Sequence, residues 1–166
     1  MAESAESPHE RFMRQAIAEA RRAEASGEVP IGAIAVIGGN VVGRGFNRPI
    51  TSVDPTAHAE IVALREAAAA VGNYRLTGIE LYVTLEPCLM CVGALVHARV
   101  SRVVFGAREP KTGALVSSTR ALDISSLNHR FDVVEGVLED ECRELVQAFF
   151  RAKRTNNELR ATNDEL

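Results

Sequence analysis

The chain has no tryptophan, and phenylalanine and tyrosine together make up only 5% of its 166 residues. A hydrophobic core must therefore be built mainly from Ala, Val, Leu and Ile, which the overall hydrophobic content of 46% allows. The length is typical of one domain. We expect a single domain over residues 1–166, with its core at about 8–154 and a polar, disordered tail at 155–166.

Cysteine and long apolar runs are also scarce. Three cysteines are too few for a disulfide framework, and they suit a reducing compartment in which a Cys-x-x-Cys pair binds metal or does redox chemistry. No stretch approaches the ~18 apolar residues of a spanning helix, and the polar segment 1–10 does not resemble a signal peptide. We therefore predict a soluble cytoplasmic protein with no membrane partner. The net charge of −3 means that any nucleic-acid contact must depend on a local basic patch.

The spacing of apolar residues predicts alternating helices and strands. Helices are predicted from Pro8 to about Gly27, and over 58–71, 87–99 and 139–154. Strands are predicted over 29–37, 41–47, 80–85, 102–106 and 131–137, with a short helix near Leu122 in the connection 107–130. A hairpin followed by alternating helices and strands indicates an α/β fold: one mixed sheet with helices on both faces.

Two short stretches combine residue types that bind zinc. They are His58-Ala59-Glu60 and Pro87-Cys88-Leu89-Met90-Cys91. One imidazole and two thiols give zinc three of its four tetrahedral ligands. The open position can hold water, whose pKa zinc lowers to near neutral. Cys88 and Cys91 share a face in the first turn of a helix, where the helix N-terminus favours thiolates. Glu60 need not bind the metal and is free to move protons.

The spacing of His58 and Glu60 sets a geometric condition. Side chains two residues apart in a regular helix point to different sides. Both can face one site only if His58 stands at the irregular start of the helix and Glu60 in its first turn.

Two other kinds of site remain open for these residues. Cys88 and Cys91 could be a redox pair, although such a pair needs no His-x-Glu upstream. A structural zinc would have four protein ligands, with Glu60 or Cys142 as the fourth. Cys142 lies on the apolar stripe of the last helix, which favours a core position. His129, in a polar loop, could either touch a ligand or be part of the surface.

His-x-Glu followed by Pro-Cys-x-x-Cys is the known signature of zinc-dependent nucleobase deaminases, and this chain resembles them in that signature. Flanking stretches extend the similarity: residues 29–33, 45–50, 54–61, 73–76, 81–88, 104–108, 111–114, 127–130 and 149–151. Over about residues 8–154 the chain resembles the bacterial tRNA-specific adenosine deaminases, within the cytidine and deoxycytidylate deaminase superfamily. It differs from the family at Glu109, where the family often has Asp. It also differs in its tail after Arg154, which is mixed in charge where family tails are often basic.

The resemblance implies a cytidine-deaminase-like fold, with three α/β/α layers and a five-stranded mixed sheet. It also implies one zinc ion per subunit, a homodimer, and conversion of adenosine to inosine at the wobble position of a tRNA anticodon. The alternatives are a zinc deaminase acting on free guanine or cytosine, and a non-catalytic zinc module that binds RNA or a partner.

The resemblance also assigns roles by position. Zinc would be bound by His58, Cys88 and Cys91, and Glu60 would be the proton shuttle. Asn47 would hydrogen-bond the base, and Ala59 and Val29 would line the pocket. The residues expected near the anticodon stem-loop are Phe150, Arg151 and Arg154.

Overall fold

The computed structural model describes residues 4–164. The chain begins with helix α1 (Pro8–Ala25) and the strands β1 (Gly32–Ile37) and β2 (Asn40–Phe46). The middle of the chain contains α2 (Ala59–Val71), β3 (Glu80–Leu85), α3 (Leu89–Ala98) and β4 (Arg102–Ala107). A 3-10 turn (Ala121–Asp123), β5 (Asp132–Val134) and α4 (Glu139–Asp164) follow.

The five strands form one mixed sheet in the order β2-β1-β3-β4-β5. β1 is antiparallel to both β2 and β3, whereas β3, β4 and β5 are parallel. This confirms the mixed five-stranded sheet. Parallel neighbours need crossover connections, and α3 makes the crossover between β3 and β4. The loop after β3 therefore leads straight into the N-terminus of a helix at one edge of the sheet.

Alternate side chains of each strand enter two separate cores. In β1, Ala33 and Ala35 pack with residues of α2 and α3, whereas Ile34 and Val36 pack with residues of α1 and α4. This period of two is what a strand buried on both faces requires. The three-layer α/β/α arrangement predicted from the sequence is therefore confirmed.

The cysteine of the last helix belongs to one of these cores. Cys142 is 1% exposed and packs in the cluster on the α1 and α4 side of the sheet. A Cβ atom added at Gly106 would lie 2.4 Å from the Cys142 sulfur, so the helix lies directly against the backbone of β4. The core interpretation of Cys142 is confirmed, and no role as a zinc ligand is needed.

Local sequence signals explain the start of α1 and the end of α2. Ser7 and Glu10 form a reciprocal capping box at the start of α1. α2 begins after His58 and ends at Gly72, which adopts the left-handed conformation with φ 75°. Both boundaries agree with the predictions.

The C-terminal elements differ from the prediction. α4 continues to Asp164, and residues 155–162 of it are exposed, so its predicted end near Arg154 is wrong; residues 165 and 166 lie outside the described residues. The stretch after Arg154 contains neither Gly nor Pro to stop a helix. β5 is shorter than the predicted strand 131–137, because Gly136 and Leu138 adopt positive φ angles.

A search of the described residues finds no helix with the length and apolar character needed to cross a membrane.

Candidate active site

Two helix starts lie side by side at one edge of the sheet. His58 immediately precedes α2 and has extended backbone angles, φ −71° and ψ 153°. Cys88 stands in the same position before α3, with φ −76° and ψ 172°. Neither side chain caps its own helix by a hydrogen bond. Both side chains are therefore free to make other contacts, and they contact each other.

His58, Cys88 and Cys91 form a compact group of potential metal ligands. The Nδ1 atom of His58 lies 3.6 Å from each of the two sulfur atoms. All three ligand atoms lie within 4.8 Å of one another. Tetrahedral zinc with ordinary Zn–N and Zn–S bonds would separate nitrogen from sulfur by about 3.6 Å. The cluster therefore fits zinc, and both cysteines are free thiols rather than a disulfide.

Glu60 faces the same site without belonging to the three-residue group. It is the second residue of α2, so the geometric condition set by the sequence is met: His58 stands before the helix and Glu60 in its first turn. The Cys91 thiol donates a hydrogen bond to Glu60 Oε2 over 3.3 Å. The carboxyl group is 4% exposed, and burial raises its pKa above the usual range. A carboxyl group with a raised pKa holds a proton more readily than an exposed one, which suits a group that carries protons.

Hydrogen bonds within the cluster shift the pKa values of its side chains. A hydrogen bond from Cys91 lowers the pKa of Cys88 to about 4, against the opposing effect of burial, and so favours the thiolate form of Cys88. Its hydrogen bond to His58 raises the pKa of that imidazole. The Cys91 thiol shifts the other way, because its hydrogen bond to Cys88 and its burial both raise its pKa. Thiolate is the form of cysteine that binds zinc.

A cavity of about 220 Å³ opens onto this cluster. Val29 and Asn47 line it, as the sequence predicted, and Asn47 is only 6% exposed. Ala59, which was also expected at the pocket, is not among the residues that line this cavity. The Ala59 side chain is fully buried in the core, because the first turn of α2 packs closely on Gly45 of β2.

Sequence reasoning assigned no role in the pocket to several lining residues. The cavity wall is completed by Ile31, Leu85, Glu86, Glu109 and Thr112. They come from three separate segments, so no single motif contains them. Glu86 offered one signal, since it directly precedes the Pro-Cys pair.

A larger groove of about 760 Å³ lies next to the cavity. Its lining residues are Glu109, Lys111, Thr112, Val146, Gln147, Phe150, Arg151 and Arg154. Glu109 and Thr112 line both spaces, so one loop forms a wall shared by the cavity and the groove. Phe150, Arg151 and Arg154, which the sequence grouped together, all lie along the groove.

Two loop residues have structural contacts instead of facing the cavity. His129 Nε2 lies 2.8 Å from the Val100 carbonyl oxygen, an accepting partner. Arg130 donates hydrogen bonds to the carbonyl oxygens of Leu122, Leu127 and Ile124. These contacts fix the loop before β5, and neither residue lines the cavity.

Comparison with known proteins places this geometry in a family. Residues 6–107 match the cytidine and deoxycytidylate deaminase zinc-binding region. The tRNA-specific adenosine deaminase of Haemophilus influenzae is 47% identical over 151 residues, covering 90% of this chain and 87% of that protein. The Bacillus subtilis enzyme of the same name is also 47% identical, with coverages of 93% and 96%. The chain belongs to the tRNA-specific adenosine deaminase family.

A solved structure supports the same family fold. It comes from work on A-to-I editing by tRNA:A34 deaminases at the wobble position of transfer RNA. It superimposes with a TM-score of 0.80 at 46% identity and covers 81% of this chain and 98% of that one. The zinc-binding region of the deaminase family and the His58, Cys88 and Cys91 cluster together identify zinc as the cofactor.

Proposed function

We propose that this protein catalyses zinc-dependent hydrolytic deamination of adenosine to inosine at the wobble position of a tRNA anticodon. One observation carries the proposal: a three-ligand metal cluster with a buried carboxyl group beside it, at the end of a small cavity. Family membership directs this chemistry to the adenosine of a tRNA.

His58, Cys88 and Cys91 would hold the zinc ion. When bound by three protein ligands, zinc lowers the pKa of a water molecule at its open position and so supplies a nucleophile. Glu60 would take a proton from the attacking water and deliver it to N1 of the adenine ring. The carboxylate would then take the proton of the new hydroxyl group on C6 and pass it to the leaving amino group, so that adenosine and water give inosine and ammonia.

Asn47 and Val29 would bind the base from the opposite side of the cavity. An amide can donate to one ring atom and accept from another, which suits the edge of a purine. The base must leave any stack to enter a pocket of this kind. An anticodon loop lowers that cost, since its bases are already unpaired.

The groove beside the cavity would hold the stem-loop. Phe150 offers an aromatic ring that is 42% exposed, and Lys111, Arg151 and Arg154 offer positive charge along the same groove. Exposed aromatic and cationic groups are the usual contacts to single-stranded bases and phosphates.

We also propose a homodimer, in the cytoplasm where tRNA is found. The helices α2 and α3 form a shallow apolar surface with the partly exposed side chains of Ile61, Ala68 and Ala94, bordered by Tyr74, which is 70% exposed. A two-fold interface must be self-complementary, and an apolar surface satisfies this condition against its own copy. Ala94→Arg should shift the molar mass measured by light scattering from dimer to monomer. Ala148→Arg, between α1 and α4, should leave it unchanged; a dimeric Ala94→Arg protein would contradict this interface.

The function is tested by incubating the zinc-loaded protein with total bacterial tRNA and reading inosine in the anticodons. Inosine should form at the wobble position and should be lost after treatment with a zinc chelator. Parallel reactions with free guanine and cytosine test the free-base alternative. Tight tRNA binding with no inosine would instead indicate a non-catalytic RNA-binding module.

A further inference from the structure

The wall shared by the cavity and the groove is a loop built around one buried carboxylate. This loop, residues 109–117, contains no helix or strand, yet Glu109 and Thr112 within it line both spaces. A loop of this kind needs an anchor to hold its shape, because its backbone groups have no regular partners. Glu86, at the end of β3, is that anchor.

Five donors of the 109–117 loop reach Glu86. Its Oε2 atom accepts hydrogen bonds from the amides of Leu115, Val116 and Ser117, over 3.1, 2.9 and 3.0 Å. Its Oε1 atom accepts from the Glu109 amide over 3.2 Å and from the Ser117 hydroxyl. All five groups are donors, which fits an ionised acceptor. Glu86 is 3% exposed, so water does not compete for these contacts.

The loop approaches the carboxylate too closely for a side chain at its centre. A Cβ atom added at Gly113 would lie 2.4 Å from Glu86 Cδ and 2.5 Å from the carbonyl oxygen of Glu109. The Ala114 amide also donates to the carbonyl oxygen of Pro87 over 2.8 Å. The loop is therefore fastened to the segment that carries Cys88, and its position follows the position of the metal ligands.

We propose that Glu86 is a positioning residue for the reaction: it holds the 109–117 loop so that Glu109 and Thr112 form the substrate-facing wall beside the metal cluster. This inference depends on the proposed function, because the wall positions a base only if a base is bound. Glu86 itself moves no proton and binds no metal. Its effect is to keep the wall at a fixed distance from the reacting atoms, where a displacement of about 1 Å can cost 10²-fold in rate.

Two variants disturb this arrangement from opposite sides. Glu86→Gln keeps the shape of the side chain but places an amide NH₂ group among the donors of the loop. Gly113→Ala leaves the charge of Glu86 intact and pushes the loop away. Glu19→Gln is the matched control, because Glu19 is a carboxylate only 5% exposed that pairs with Arg22 on α1, away from the cavity.

The test combines amide hydrogen exchange with kinetics on an anticodon stem-loop RNA, normalised to zinc content. In Glu86→Gln and in Gly113→Ala, the amides of residues 115–117 should exchange faster than in the wild type. Their kcat should fall about 10²-fold, with the zinc content per subunit unchanged. Glu19→Gln should match the wild type in both measurements. If Glu86→Gln fails to fold, the exchange and kcat measurements on Gly113→Ala are sufficient to test the inference.

Unchanged exchange at 115–117 in the variants would overturn the inference. Faster exchange together with a wild-type kcat would also overturn it, because Glu86 would then anchor the loop without affecting the reaction. Failure of the wild-type protein to deaminate the RNA would reject the proposed function, and the exchange rates would still decide whether Glu86 holds the loop.

Discussion

Glu60 is the residue on which the proposed chemistry depends most directly. It lies 3.3 Å from Cys91 and outside the metal-ligand group, so its removal should affect proton transfer before it affects metal binding. Glu60→Gln keeps the size of the side chain and removes its ability to accept a proton. We expect inosine formation to fall by about 10²–10⁴-fold, the usual contribution of general acid–base catalysis. Single-turnover assays with zinc analysis of the same samples would measure both effects.

Glu66→Gln is a suitable control for that variant, since Glu66 is exposed on the same helix. Its turnover and zinc content should equal those of the wild type. Substantial turnover by zinc-loaded Glu60→Gln would refute the proton-shuttle role.

Glu28, which directly precedes the cavity-lining Val29, makes a pH-dependent contribution to stability. Burial disfavours its charge, but hydrogen bonds from the Thr51 amide and hydroxyl and from the Ile50 amide outweigh burial, and its pKa is lowered below 4.5. A carboxylate with a lowered folded-state pKa stabilises the protein above its unfolded pKa. That stabilisation is lost as the pH falls through the folded-state value.

Glu28→Gln should therefore lower the free energy of unfolding by about 1–3 kcal/mol at pH 7, and the difference from the wild type should shrink below pH 4.5. Urea unfolding of both proteins at several pH values measures this difference in the free energy of unfolding. Glu24→Gln, at an exposed position on α1, should show no such dependence. A Glu28→Gln difference that persisted unchanged at low pH would show that the carboxylate charge is not responsible.

At the scale of secondary-structure elements, the close packing of α2 on β2 fixes the position of His58 and Glu60. A Cβ atom at Gly45 would lie 2.3 Å from the Ala59 carbonyl oxygen and 2.6 Å from the Ala63 amide nitrogen. Gly45→Ala must therefore move the helix, and overpacking of this kind costs about 1–3 kcal/mol. We expect the free energy of unfolding to fall by that amount and zinc affinity to weaken.

Arg44→Ala offers a comparison on the same strand, because Arg44 is exposed and its removal adds no volume. It should change the free energy of unfolding by less than about 0.5 kcal/mol. Equal stability of Gly45→Ala and the wild type would mean that α2 is not held by this contact.

The elements that the sequence predicted correctly are those with local signals. Ser7 and Glu10 start α1, and Gly72 ends α2, through contacts within a few residues of the chain. The end of α4 carries no such signal, since its last turns lack Gly and Pro. The shortness of β5 follows from the positive φ angles at Gly136 and Leu138, and a leucine gives no warning of such an angle.

The residues of the site also differ in how far the sequence could predict them. The metal ligands and Glu60 were predictable because zinc chemistry restricts both residue types and spacing. Much of the cavity wall was not, because Glu109 and Thr112 reach it from the loop that follows β4, far along the chain from His58. Ala59 was assigned to the pocket by resemblance, and the contact between α2 and Gly45 turns its side chain into the core instead.

At the scale of the whole molecule, charge must be local for this protein to bind RNA. The net charge is −3, yet the groove beside the cavity contains Lys111, Arg151 and Arg154. Arg151 also pairs with Glu144, so Lys111 and Arg154 are the better candidates for phosphate contacts. Each phosphate contact on a single strand contributes about 0.7 to the slope of log K against log salt.

The double variant Lys111→Ala/Arg154→Ala should therefore reduce this slope by about 1–1.5 for an anticodon stem-loop, as measured by fluorescence anisotropy between about 50 and 200 mM salt. Arg21→Ala, on an exposed part of α1 away from the groove, should leave the slope unchanged. If the double variant bound the stem-loop with the wild-type slope, the phosphates would have to contact another surface, and the groove would not be the RNA-binding site.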